Sequence, residues 1–194
     1  ENYHSYYFGN VGGAMIKTYD NNFVMACHFA DAEFVYATLI KLNENLDTIW
    51  KRNFHTNEYT IGINARETSD HGFILTGWVW DAGPDLDALL LKTDSNGIYQ
   101  WHQTYGGALV EQGESIIKTP DGGYLLGGFR YNPAVYHSLD ALVIKTDSIG
   151  NQEWTKTYGN PNVDDDMAHV ALADDGNYLV ATVYGEFTFG NENR

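Results

Sequence analysis

The chain has 194 residues, with 11 Lys and Arg against 26 Asp and Glu, a formal charge of −15. That balance excludes the basic surface that nucleic-acid phosphates require, and it disfavours an anionic membrane surface. The length suits one large domain or two small ones with a substantial core, and no run approaches the ~20 apolar residues of a membrane span.

The 14 Tyr, 5 Trp and 20 Gly point to a β-rich protein with many tight turns. The one cysteine, Cys27, leaves no disulfide framework; it sits in the strand-like run FVMACHF and reads as a small buried hydrophobe. The chain begins at Glu1 without a methionine or signal peptide, as a processed product or a piece of a longer protein would.

The sequence repeats. A turn marker reads DNNF at Asp20, DHGF at Asp70, DGGY at Asp121 and DGNY at Asp175, in steps of 50, 51 and 54 residues. A second marker, Trp50, Trp101 and Trp154, steps by 51 and 53. Before each turn runs a strand A: AMIKT from Ala14, INARET from Ile63, SIIKT from Ser115 and HVALA from His169. After it runs a strand B (FVMACHF, FILTGWV, YLLGGFR, YLVATVY), apolar nearly throughout, as strands covered on both faces are. Asp followed by Gly or Asn suits a hairpin turn that needs positive φ. Strand C follows a variable loop: YATLIKLN from Tyr36, DALLLKTD from Asp87 and DALVIKTD from Asp140. Then come a second turn and a strand D bearing the tryptophan. Asp94 with Gly97, and Asp147 with Gly150, suit that turn; Asn43 and Leu46 make the first copy less ideal.

Four strands in ~52 residues, joined A–B and C–D by tight turns, form an antiparallel meander that cannot bury both faces alone. Radial stacking of copies does so, which is the logic of a β-propeller. The expected fold is an all-β propeller of four-stranded blades, three complete and one incomplete. The units span 10–55, 56–107, 108–160 and 161–194, and residues 1–9 form a leading outer strand with His4 at the tryptophan position. Either that strand closes a four-bladed ring or the chain is a section of a longer propeller; GEFTFGNENR, lacking a DALxxKTD, favours the section.

The pattern DGGYLLxG, then DALLxKTDxxGxxxW and a TYGG-like tail, resembles the repeat of secreted Bacteroidota β-propeller proteins, which often precedes a type IX secretion sorting domain. The resemblance covers essentially the whole chain and is closest over Gly113–Gly159. It implies the extracellular space or cell surface of a Gram-negative bacterium. Gly97 to Trp101 and Gly150 to Trp154 also resemble, more distantly, the spacing of quinoprotein-like propellers, whose tryptophan docks neighbouring blades. That resemblance implies a structural role for Trp50, Trp101 and Trp154. Nothing resembles the residues that hold a quinone or its metal, and the DSNG turn is similar to a stretched sialidase Asp-box, its spacing from Asp94 to Trp101 being longer than that motif's.

In a propeller the variable B–C and D–A loops share one face, where differences between units are expected to carry function. Trp78 and Trp80 share one side of a strand, and Trp80, beside the loop, suits stacking on a sugar or anchoring a partner, against ordinary packing between blades. Tyr131, Tyr136 and His137 read as a polar aromatic patch or as a plain cover. Asp164, Asp165 and Asp166, and Asp81, Asp85 and Asp87, are oxygen donors of the kind Ca²⁺ takes, without the spacing of a dedicated calcium loop. Asp87 and Asp140 recur at one unit position and read as structural. The seven histidines show no zinc spacing, and no phosphate loop, GxSxG elbow or HExxH helix occurs.

The leading expectation is therefore a non-enzymatic surface or secreted module, cofactor-free, that binds a protein or glycan on its loop face and serves as an accessory subunit. One alternative is a carbohydrate-active hydrolase or lyase using Asp81, Asp85 or Asp164 as paired carboxylates. Another is a structural spacer in a large adhesin.

Overall fold

The computed structural model describes residues 12–31, 33–56, 59–80, 85–131, 139–159 and 168–182. These residues hold fourteen strands and no helix. Strands β1 (Gly12–Lys17), β2 (Phe23–Ala30), β3 (Val35–Leu42) and β4 (Thr48–Phe54) pair in order as the first sheet. The second sheet is β5 (Tyr59–Glu67), β6 (Phe73–Trp80), β7 (Leu86–Thr93) and β8 (Tyr99–Tyr105). The third is β9 (Val110–Lys118), β10 (Tyr124–Tyr131), β11 (Leu139–Thr146) and β12 (Gln152–Tyr158). A fourth begins with the pair β13 (His169–Leu172) and β14 (Tyr178–Ala181). All pairing is antiparallel except one bridge between Val35 and Tyr59 that links the first two sheets. The leading strand expected over 1–9, and the end of the fourth unit, lie outside the described residues.

The first strand of each later sheet lies against the sheet before it. β5 touches β1, β2 and β3; β9 touches β5, β6 and β7; β13 touches β9 and β10. Three apolar clusters fill the spaces between: Val24, Ala26 and Leu39 meet Phe73, Leu75 and Leu91; Ile74 and Leu90 meet Ile116, Tyr124 and Leu126; Leu125 and Val143 meet Val170 and Tyr178. Sequence neighbours such as Ile74 and Leu75 point to opposite faces, yet both are fully buried, so the second sheet is covered on both sides. That explains why the B runs are apolar without alternation. Each such leucine or isoleucine contributes about 1.5–3 kcal/mol on burial.

The turns depart from the expected pattern in one respect. Each A–B turn carries one left-handed residue, not two: Asn21 (φ 63°), His71 (60°), Gly122 (87°) and Gly176 (84°). In DHGF the strained residue is thus His71, not the glycine. Gly72 and Gly123 are glycines for a different reason. A Cβ there would collide with the carbonyls of Thr93 and Thr146 and with the ammonium groups of Lys92 and Lys145.

Those lysines are the hub of a repeated polar assembly. Asp70 accepts from the Thr68 hydroxyl and the Gly72 N–H, and pairs with Lys92 at 2.8 Å. Buried Lys92 also donates to the Thr93 carbonyl and to Gln100. In the third sheet, Lys145 reaches Asp121 at 2.8 Å, Glu153 at 2.9 Å and the Thr146 carbonyl at 2.8 Å. The first sheet keeps Thr18, Asp20 and Lys41, the last pair 2.6 Å apart. Burial pushes the Asp70 carboxyl up, but Lys92, Thr68 and Gly72 outweigh it and hold it at about 2. For Asp121 the Lys145 ammonium leads, with Thr119 and Gly123, in holding it far below the usual carboxylate range. So the recurring Asp and the Lys of strand C join the two hairpins of one meander.

The C–D turns are closed by a side chain as well. Asp94 accepts from the N–H groups of Asn96 and Ile98, and Asp147 from those of Ile149 and Asn151. In the first sheet Asn43 does the same for Asn45 and Asp47, while Leu46 takes the left-handed position (φ 66°) that Gly97 and Gly150 hold in the others.

Candidate functional site

The A–B and C–D turns, all five residues long, lie at one end of the strands, and the B–C and D–A connections, which vary from four to ten residues, leave the other. At that loop end the side chains differ from sheet to sheet. In the first sheet, Asp31 accepts from the N–H groups of Glu33 and Phe34 and from the Tyr36 hydroxyl, each at 2.9 Å. The backbone donors lead in holding the Asp31 carboxyl down, and the bond to Asp31 holds the Tyr36 phenol up. His55 stacks on Phe34 with ring centres 4.7 Å apart, and Tyr36 meets it edge-on at 5.8 Å. On the same sheet the Lys51 ammonium lies 3.6 Å from the centre of the Phe29 ring.

The second sheet supplies Tyr59 and Trp80. They are opposite in register at the last rung of β5 and β6, with ring centres 5.2 Å apart. Tyr59 also bridges to Val35, which ties this end of the second sheet to the first. Trp80 is 36% exposed at the end of its strand, whereas Trp78 lies half-buried between Ile61 and Ala88 in register. Tyr59 and Trp80 thus form a small aromatic shelf at the loop end of the second sheet.

A different arrangement stands where the second and third sheets meet. Arg130 of β10 is opposite Glu111 on one side and Asp140 on the other. Buried Glu111 pairs with the Arg130 Nε at 3.0 Å, although that N–H is not directed along the contact. The other oxygen, Glu111 Oε2, has no hydrogen-bond partner among the described residues. Burial pushes the Glu111 carboxyl up and the neighbouring Asp87 adds to this, with Arg130 opposing. Gly106 is hemmed in by Asp87 and Glu111, and Gly159 by Asp140, so the recurring Asp of strand C buttresses the D–A connection.

The sequence candidates are distributed over this end. Trp80 joins Tyr59 on the shelf. Asp85 is half-buried just before β7, and Tyr131 closes β10 beside Arg130. Asp81, Tyr136, His137, Asp164, Asp165 and Asp166 lie outside the described residues. Cys27 is buried, and burial pushes its thiol up, away from nucleophilic character. Among the described residues no group of three or more His, Cys, Asp or Glu is placed to hold a metal ion, and no helix is long and apolar enough to cross a membrane.

Trp50, Trp101 and Trp154 lie at the other interfaces. Trp50 faces Phe73 at 5.9 Å, Trp101 faces Tyr124 at 6.4 Å and Trp154 faces Tyr178 at 6.5 Å, each reaching the second strand of the next sheet. Their rings also cover the C–D glycines of that sheet. A Cβ on Gly97 would come within 2.9 Å of Trp50, and one on Gly150 within 2.8 Å of Trp101.

Phe34, Tyr36, His55, Tyr59, Glu111 and Arg130 are the functional candidates that sequence reasoning passed over. Tyr59 and Trp80 bracket the ends of one hairpin, a signal the sequence carried. Compared with known proteins, the chain matches no protein-family model and no curated protein.

Proposed function

We propose that the chain is a β-propeller, or a section of one, whose loop end is a non-enzymatic binding face for a glycan or protein partner. Successive meanders that each lay a first strand on the sheet before support radial stacking. The observation that carries the binding reading is the Trp80–Tyr59 pair: a large ring one-third exposed, fixed by a cross-strand neighbour, at the end where the units differ. A tryptophan so held loses little freedom on stacking against a sugar ring or a partner side chain. Secretion to a Gram-negative cell surface is part of the proposal and rests on the resemblance of the repeat. The structural-spacer reading differs from it in predicting no ligand at this shelf.

The test is a glycan panel and a set of purified surface proteins titrated against wild type and Trp80→Ala by intrinsic fluorescence and calorimetry. Binding that weakens at least tenfold in Trp80→Ala, with an unchanged urea midpoint, is the expected result. Equal binding by both proteins would refute the assignment. A hydrolase or lyase reading has one observation of its own, the buried Glu111 beside Asp87. Glycan cleavage abolished by Glu111→Gln would favour it. The ion pair with Arg130 makes a fixed structural carboxylate the better account.

A further inference from the structure

The basic side chains of this acidic chain are almost all spoken for. Among the described residues, Lys41, Lys92, Arg130 and Lys145 pair with carboxylates, and Lys51, Arg52 and Lys156 lie over aromatic rings. Lys17 and Lys118 are exposed at the ends of β1 and β9. Arg66 differs from all of these. It is half-buried with neither an acid nor a ring against it, although Asp and Glu outnumber Lys and Arg by 26 to 11. Its Nη1 donates to the Asn64 side-chain oxygen at 2.7 Å and to the Ala65 carbonyl at 2.8 Å, both neutral acceptors. Burial pushes the guanidinium down, and no neighbouring charge offsets it.

The position is peculiar to the second sheet. Two residues before the first residue of each A–B turn, the other units place Ile16, Ile117 and Ala171. Ile16 and Ile117 pack against the apolar clusters, so Arg66 replaces a core isoleucine. Asn64 fixes where it stands. The Asn64 amide donates to the Glu114 carbonyl of β9 at 3.4 Å while its oxygen accepts from Arg66, which tethers the guanidinium to the seam between the second and third sheets. Ile74, opposite Arg66 in register, packs with Ile116 across the same seam. Lys118, two residues beyond Ile116 on the same side of β9, puts a second positive charge on the facing strand. With Nη1 engaged, the Arg66 Nε and Nη2 have no acceptor among the described residues, and neither atom is shut away from solvent. Those two atoms present the parallel N–H fork that a carboxylate meets with both oxygens.

We propose that Arg66 anchors an anion site at the turn end of this seam, and that Nε and Nη2 take the carboxylate of a small organic acid. A carboxylate matches the planar fork and carries one charge. A phosphate or sulfate dianion would meet twice the repulsion from a chain of charge −15. A free acid and a sugar acid share the required chemistry. The site lies at the opposite end of the strands from Trp80 and does not depend on the shelf.

The four arginines give at most four Nε–Hε signals in a side-chain NMR spectrum, and the Arg66 signal is the one lost in Arg66→Lys. Acetate and glucuronate are titrated separately at neutral pH and constant ionic strength. The Arg66 signal should move and saturate with either, while those of Arg52 and Arg130 stay. Saturation at lower glucuronate than acetate marks the sugar acid as the source, and equal saturation the free acid. Arg66→Lys keeps the charge without the fork and should bind about tenfold more weakly. Arg66→Ile restores the residue of the first and third units and should fold as wild type does. Saturating carboxylate should raise the thermal midpoint of wild type but not of Arg66→Ile. Equal movement of all arginine signals, failure to saturate, the same midpoint rise in Arg66→Ile, or saturation at lower inorganic phosphate than either carboxylate would each overturn the proposal.

Discussion

Replacing Asp121 with Asn tests the assembly around Lys145. The Lys145 ammonium is 3% exposed and holds Asp121 and Glu153, whose side chains are 55% and 45% exposed. A hydrogen bond to a charged group is worth about 1.5–3 kcal/mol, and solvent access to the carboxylate removes a good part of that. Asp121→Asn should therefore cost about 1 kcal/mol, and Glu153→Gln a similar or smaller amount. The double variant leaves a buried ammonium with neutral acceptors and no carboxylate, and an uncompensated buried charge costs about 3–5 kcal/mol. A loss of about 3 kcal/mol, more than the sum of the single losses, is expected. The assay is urea unfolding followed by tryptophan fluorescence, with thermal midpoints falling by about 2–4 °C per kcal/mol at this size. The pH dependence has a definite sign. Asp121 is held below its unfolded value of about 3.9, so its contribution is present above that value and fades as pH falls towards the folded one. The gap between wild type and Asp121→Asn should thus narrow below about pH 4. Strictly additive losses with no pH dependence would refute the reasoning.

Leu46→Gly should stabilise the isolated chain by about 0.5–1 kcal/mol, because a leucine in the left-handed region carries a penalty that glycine escapes; a higher urea midpoint at low protein concentration checks it. Gly150→Ala should cost about 1–3 kcal/mol, since the new Cβ meets the Trp101 ring at φ 85°, with a shifted tryptophan emission as the second readout. Trp101→Ala should cost about 3 kcal/mol and expose Tyr124, measured by denaturation and tyrosine quenching.

Much of the all-β architecture was legible because hairpin turns and strands obey local rules. The Asp that opens each A–B turn, the apolar B runs and the tryptophan of strand D each repeat at one spacing, so comparison of copies located them together. The lysine of the DALxxKTD run repeated just as faithfully. Its role stayed hidden because its partner in the A–B turn lies 21 to 24 residues earlier, across two strands. The loop end was less legible for a sharper reason. Pairing outward from the third A–B turn, where Tyr124 faces Lys118, would set Arg130 opposite Gln112. An irregularity at Gly127 and Gly128 shifts the register by one and sets it opposite Glu111. Tyr36, in β3, and His55, just past the end of β4, by contrast meet because Ala37 pairs with Phe54, a pairing that the repeat already implied.

The tryptophan contacts impose a schedule on synthesis. The Trp50 ring closes on Gly97, 47 residues further along the chain, and the Trp101 ring on Gly150, 49 residues further. A sheet therefore has its outer strand in place long before that strand's largest side chain is fully covered, since Phe73 and Tyr124 arrive before Gly97 and Gly150 complete the contact. At ~5–20 residues per second the wait is roughly 2–10 s, renewed once per unit. During each interval the newest tryptophan stays partly uncovered, and the arrival of its successor's second hairpin completes its shelter.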